Sequence, residues 1–186
     1  MKLTVKNRLA ETKKEINEMR KGGNIPAILY AKNHPNRLLE ISGTEFHAHM
    51  RVIQKGSLPN TVFTLEDEKG ETFKVIVKDI QYHRSTYRIE HLDFLYLVDN
   101  APVNVKVPLR FKGVAECVGV KLGGVVRAVI RHIKVRCLPK DIPDEFNLDV
   151  SALSINQSLK LSSINLPDTV KSLLDLNEVA VIIAKR

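Results

Sequence analysis

Apolar and polar positions alternate from the first residues. Leu3 and Val5 are separated by Lys2, Thr4 and Lys6, the period-two signature of a half-buried strand. The period lengthens over 11–21, ETKKEINEMRK, where Ile16 and Met19 fall three apart and Gly22-Gly23 ends the run. That spacing predicts a short helix. IPAILYA (25–31) is a continuous apolar strand. SGTE (42–45) has the form of a capping box and sets Phe46, Met50 and Ile53 on one face of a second helix. TVFTLE and ETFKVIV flank the turn sequence DEKG and predict a hairpin. KDIQYHR and RIEHLDFLYL read as two further strands.

Beyond Asp99-Asn100-Ala101-Pro102 the helical period almost disappears. APVNVKVPLRF is a strand in which Pro102 and Pro108 suit a start, an edge or a bulge. GVAECVGVKLGGV, with four glycines, reads as a loop. In VVRAVIRHIKVRCL the charges change parity, from Arg127 and Arg131 to Lys134 and Arg136. A strand cannot exchange its faces without a break, so a bulge or turn is expected near Arg131-His132. LPKDIP is a turn, and FNLDV and EVAVIIA are late strands. The chain is therefore read as mainly β (α+β), with a boundary at about 97–101 and two domains, 1–97 and 98–186.

With 186 residues, 44% hydrophobic and 27% charged, each half can bury a core. No apolar run approaches the roughly 18 residues that span a bilayer, and MKLTVKNRLAETKKE has no signal-peptide core. Neither membrane nor secretion is expected. Cys117 and Cys137 have no metal-site spacing and fit buried, reduced thiols in a cytoplasmic protein. The net charge of +8 is patchy. Residues 1–37 hold nine Lys/Arg against three Glu, and residues 104–140 hold nine against one. A polyanionic partner becomes a serious candidate.

Catalytic and metal chemistry find little support. The serines lack a G-x-S-x-G context, and neither cysteine has a neighbouring His-Asn signature. His91 and Asp93 share a face as a base and its orienter would, but side chains two apart on a strand are expected to point outward in parallel. His47 and His49, two apart on a helix, diverge. His83, His91 and Asp93 could converge, yet nothing completes a metal site, so no metal or cofactor is expected. KLGGVV lacks the spacing of a phosphate-binding loop. What remains is a basic set, Lys6, Arg8, Lys13, Lys14, Arg20, Lys21 and Lys32, with Tyr30 as a stacking or hydrogen-bonding group among them. The plainer alternative is a solvated helix face whose lysines pair with Glu11, Glu15 and Glu18.

Three blocks carry more than composition: MRKGGNIPAILYAK (19–32), VKDIQYHRSTYRIEHLDF (77–94), and VPLRFKGVAECVGVKLGGVV followed by LPKDIPDEFNLDVSAL. In this order they resemble the bacterial large-subunit ribosomal protein family that binds 5S rRNA, in its two-domain form, the general stress protein Ctc subfamily. The resemblance implies an N-terminal β-barrel-like RNA-binding domain with short helices, docked on an irregularly paired internal loop of 5S rRNA. It implies a mostly β C-terminal domain that this contact does not need. Matched position by position, it implies Arg8, Lys14, Arg20, Tyr30, Lys32, Gln81, His83, His91 and Asp93 as RNA ligands. Asn17, Glu18 and Arg84 depart from the usual family pattern.

On that reading Asp93 has a physical role. A carboxylate repels phosphates, so on an RNA-facing surface it must accept from base donors such as guanine N1–H and N2–H₂ or a cytosine amino group. Regular A-form RNA hides its major-groove edges, and an internal loop exposes them. The expected function is a non-enzymatic, cytoplasmic, structural component of the large ribosomal subunit. Its expected partners are 5S rRNA and large-subunit proteins, with 23S rRNA a further candidate, and no small-molecule substrate is expected. The rival is a stress-linked protein-interaction adaptor whose basic patches only solubilise it. The basic segment 104–140 separates the two, according to whether it faces RNA or solvent.

Overall fold

The computed structural model describes residues 1–8, 12–31 and 34–185. The chain divides into two compact units, Met1–Ala101 and Pro102–Arg186. The first is built from β1 (Lys2–Asn7), α1 (Lys13–Lys21), β2 (Asn24–Ala31), β3 (His34–Ser42), α2 (Gly43–Val52), β4 (Val62–Asp67), β5 (Thr72–Tyr82) and β6 (Ile89–Tyr96). Its six strands close into a barrel in the order β1-β3-β2-β6-β5-β4, sealed by a parallel pairing of β1 with β4. Alternation fills the interior. Leu3 and Val5 from β1, Ile25, Ala27 and Leu29 from β2, and Leu92 and Phe94 from β6 all lie in one buried cluster.

The second helix plugs this core with Phe46, while Met50 and Ile53 pack against the cluster. Its capping box is only half formed. Ser42 Oγ accepts from the Glu45 N–H at 3.5 Å, but the Glu45 carboxylate turns to the Thr4 N–H of β1. The complete box belongs to α1, where Thr12 and Glu15 each accept the other's N–H at 3.4 and 3.3 Å. Gly23, at φ +85°, then turns the chain into β2, and its carbonyl accepts from the Gly43 N–H at 3.1 Å.

ETFKVIV and KDIQYHR are one strand rather than two. β5 runs on through Lys78, where its register against β6 skips a residue: Val77 pairs with Phe94 and Asp79 with Asp93. A second skip leaves Glu90 of β6 unpaired between Gln81–His91 and Tyr82–Ile89. Each inserted residue shifts which positions face inward, from Val75 and Val77 to Ile80 in β5 and from Ile89 to Leu92 and Phe94 in β6.

The second unit contains β7 (Val103–Lys112), α3 (Val118–Lys121), β8 (Gly124–Ala128), β9 (His132–Cys137), β10 (Phe146–Asp149), β11 (Ser158–Lys160), β12 (Lys171–Ser172) and β13 (Val179–Lys185). They form one sheet in the order β10-β7-β9-β12 and another in the order β11-β13-β8. The parity change at 127–136 is a true break. β8 pairs with β13 and β9 with β7, so the chain changes sheets across Val129–Arg131. Pro108 lies where β7 passes from one partner to the other: residues 103–108 pair with β9 and residues 109–112 with β10. The glycine-rich stretch is not a plain loop. It holds α3 and the start of β8, and a Cβ on Gly119 or Gly124 would meet Ile183 Cγ2 at 2.8 or 2.9 Å. Cys117 and Cys137 are both buried and free.

A Cβ on Gly43 would overlap the Gly23 carbonyl oxygen, which is backbone and cannot swing aside. Gly43→Ala is therefore expected to destabilise the first unit by about 1–3 kcal/mol. Gly70→Ala, with open space around its Cα, should show only the strain of φ +79°. Urea unfolding of the two variants measures the difference.

Candidate nucleic-acid interface

β6 runs between β2 and β5 on the barrel wall, and its even-numbered apolar residues Leu92 and Phe94 point inward. His91 and Asp93 therefore face out. Register supplies their neighbours. Gln81 pairs with His91, Asp79 with Asp93, Ile28 of β2 with Asp93, and Tyr30 with Leu95, one position along the same outer face. Asp79 and Gln81 reach this face only because Lys78 is bulged; an unbroken β5 would turn both toward the core.

His91 and Asp93 do not project in parallel. His91 Nδ1 lies 2.8 Å from Asp93 Oδ1, with the side chains 23% and 29% exposed. Strand side chains lean along the strand, and an imidazole and a carboxylate two positions apart are long enough to meet. A carboxylate only accepts, so Nδ1 carries the proton and Nε2 is left to the surface. The second Asp93 oxygen is left as an acceptor. Burial raises the Tyr30 phenol above its ordinary pKa, and the Asp93 and Asp79 carboxylates raise it further. Tyr30 thus stays a neutral hydroxyl donor beside two anions.

α1 flanks this face. The Arg20 guanidinium donates through Nε and one Nη to the Glu90 carbonyl, at 3.2 and 3.0 Å. It thereby satisfies the residue that the β6 bulge removes from the ladder. Arg20 is a clamp between helix and barrel as well as a surface cation. His83 is also partly structural. Its Nδ1 accepts from the Ser85 and Thr86 N–H groups at 3.3 and 3.2 Å, which fixes the β5–β6 connection and puts the ring proton on Nε2. Between α1 and that connection lies a groove of about 420 Å³ lined by Asn17, Arg20, Lys21, His83, Thr86 and Arg88, among others.

Six of the nine sequence-derived residues fall into two groups. Gln81, His91, Asp93 and Tyr30 share the barrel face; Arg20 and His83 share the groove. Lys14 is exposed on α1, and the Arg8 N–H donates to Leu38 O at the end of β1. Lys32 lies outside the described residues. Among the described residues none of Lys13, Lys14 and Lys21 is in an ion pair, and Glu15 spends its carboxylate on the helix cap. Neither Glu15 nor Glu18 neutralises a helix lysine, and Glu11 lies outside the described residues. Asp79 and Arg88 belong to the same surfaces but were not singled out by the sequence, and Lys21 was in the basic set but not among the ligands the resemblance implies. Asp79 had one available signal, its two-residue spacing from Gln81.

Two family models cover the chain. Residues 3–94 match the Ribosomal L25p family, and residues 102–186 match Ribosomal protein TL5, C-terminal domain. The large ribosomal subunit protein bL25 of Chlamydia muridarum is 43% identical over 186 residues, the whole of both chains. Its counterpart in Chlamydia trachomatis serovar L2 is 44% identical and that in Chlamydia pneumoniae 38%, again end to end. The chain belongs to the bL25 family. Membership makes it a structural protein of the bacterial large ribosomal subunit, not an enzyme. Among the described residues no group of three or more His, Cys, Asp or Glu is placed to hold a metal ion.

The Arg20 clamp has a measurable consequence for this bL25-family fold. Lysine cannot present two N–H groups in a fixed fork to one carbonyl. Arg20→Lys should therefore loosen α1 by about 1–2 kcal/mol, the scale of a lost charged hydrogen bond. Amide exchange in α1 should accelerate roughly tenfold, while Lys14→Ala leaves it unchanged.

Proposed function

We propose that this chain binds an internal loop of 5S rRNA through the β2–β6–β5 face and the adjoining α1 groove, as a structural component of the large subunit in cytoplasmic ribosomes. The observation that carries the reading is the composition of the face. Asp93 and Asp79 stand opposite each other, with the Tyr30 hydroxyl, Gln81 and the His91 ring around them. Like charges directly opposite on a sheet are unfavourable, and phosphates would be repelled by both. Base amino and imino groups are the RNA donors that suit such a face.

The groove suits the other half of the task. Lys21, Arg20 and Arg88, with exposed Lys14 on the same helix, supply cations for backbone phosphates, and His83 offers its Nε2 donor. On this division cations position the RNA while the carboxylates and amide read base edges. Arg8 joins the cations, and Lys32 is proposed with them from the family resemblance alone. Residues 1–97 contain every proposed ligand and form the proposed binding domain; residues 98–186 form the second.

Salt separates the two classes of contact. Lys14→Ala should weaken binding to all RNAs similarly and reduce the log K versus log [salt] slope by roughly 0.7–0.9, one phosphate's worth. Asp93→Ala should cost about 1–3 kcal/mol on the 5S loop and leave the slope unchanged. On unrelated RNA it should be neutral or slightly tightening. Fluorescence anisotropy against both RNAs measures this. Tighter binding of Asp93→Ala to cognate and unrelated RNA alike would remove the base-reading role.

Deletion tests the division of labour. A fragment of residues 1–97 should fold and hold the 5S loop within a few-fold of the whole chain's affinity in a gel shift. A folded fragment that binds at least tenfold more weakly would place part of the site in the second domain.

A further inference from the structure

The four-stranded sheet of the second unit carries its charge in an unusual arrangement. β9 buries Ile133, Val135 and Cys137 and exposes His132, Lys134 and Arg136. β7 likewise buries Val103, Val105 and Val107 and exposes Asn104 and Lys106. Register then sets like against like. Lys106 pairs directly with Lys134, and Arg136 pairs directly with Lys171 of β12. All four side chains are exposed, and among the described residues none is in an ion pair.

Two like-charge pairs in successive registers oppose sheet formation, since facing charges of one sign are destabilising. A face that only needed solubility would be served equally well by mixed signs. Asp141 follows β9 near the buried Cys137, and Glu145 and Asp149 lie on the β10 side. There Glu145 pairs with Arg110 at 3.6 Å, and Asp149 lies opposite Lys112. The cationic block is thus segregated on β7, β9 and β12. Its members are spaced by about 4.8 Å across strands and about 6.7 Å along them. That is a two-dimensional grid of cations with no carboxylate on it, on which Asn104 and His132 are the other exposed polar side chains of the paired residues 103–108 and 132–137.

We infer that the Lys106–Lys134–Arg136–Lys171 face is a second RNA-binding surface, which holds the phosphate backbone of a regular RNA helix without reading its sequence. The inference rests on the ribosomal reading for its choice of RNA as the polyanion. It does not rest on 5S loop binding by the first unit. The two faces then divide recognition: the barrel reads an irregular loop, and the second sheet grips a helix by charge.

The test uses the full chain, a fluorescent RNA duplex without internal loops, and separately the 5S loop. The triple variant Lys106→Gln/Lys134→Gln/Arg136→Gln should bind the duplex at least tenfold more weakly at low salt. Its log K versus log [salt] slope should fall in magnitude by about 2–3, at roughly 0.7–0.9 per phosphate. Binding to the 5S loop should change less than twofold. Removing facing cations should leave the melting temperature unchanged or higher. An unaltered slope on the duplex overturns the inference. Loss of 5S loop binding by the wild-type chain would instead overturn the function proposed for the first unit.

A second measurement needs no variant. Acylation of Lys106 and Lys134 in the wild-type chain, read by mass spectrometry, should slow at least threefold with duplex RNA at low salt and recover at high salt. Unprotected lysines overturn the inference. Protection by polyglutamate as strong as by RNA also overturns it, in favour of an acidic protein partner.

Discussion

Side chains on a strand alternate between two faces, so one inserted residue reverses the assignment of everything beyond it. In the first unit that residue is Lys78. Before it, Val75 and Val77 face the barrel core; after it, Ile80 faces the core while Asp79 and Gln81 face out. Without the insertion two polar side chains would enter an apolar interior and an isoleucine would lie in water. The candidate site therefore exists because the ladder is broken at one place. Glu90 is the counterpart on β6, and its displaced carbonyl gives Arg20 something to hold. Two irregularities in one strand pair thus aim the barrel face and attach the helix beside it.

Much of this was legible in the residues and some was not. Leu3 and Val5, the DEKG hairpin and the helix face of Phe46, Met50 and Ile53 all follow from period alone. So does the irregularity before His132, because charges that change parity require a bulge or a break between them. Periodicity alone did not place the bulges, since the hydrophobic run TFKVIVKDI is equally compatible with one strand or two. Nor could it show which of two Glu residues closes a capping box. Glu15 does, whereas Glu45 finds the Thr4 N–H of a strand brought in from elsewhere in the chain. The contact of His91 with Asp93 depends on side-chain lean, which spacing does not encode. The family resemblance supplied the site list, but only register shows that Gln81 and Asp79 flank the His–Asp pair.

Under the proposed functions, the two units meet RNA by opposite means. The barrel surrounds paired carboxylates with a phenol, an amide and an imidazole, and keeps its cations to one side in a groove. Such a surface discriminates, because most RNA presents phosphates that the carboxylates repel. The second sheet concentrates cations and holds Glu145 and Asp149 at its β10 edge. Such a surface attracts broadly and is tuned by ionic strength. Glycine serves packing in both units: Gly43 lets two helix ends touch, and Gly119 and Gly124 let α3 and β8 approach Ile183.

The seal of the barrel joins β1 to β4, with Lys2 beside Thr64 and Val5 beside Asp67. Chains are made in one direction, so β1 leaves the site of synthesis long before either strand that will flank it. Until residue 67 has been added, Leu3 and Val5 have no complete wall to enter. Closure must then pay the entropy of a loop of some sixty residues before any reward from burial. Until then a nascent chain can pair its earliest strand only on the β3 side, with the Leu3 end still open.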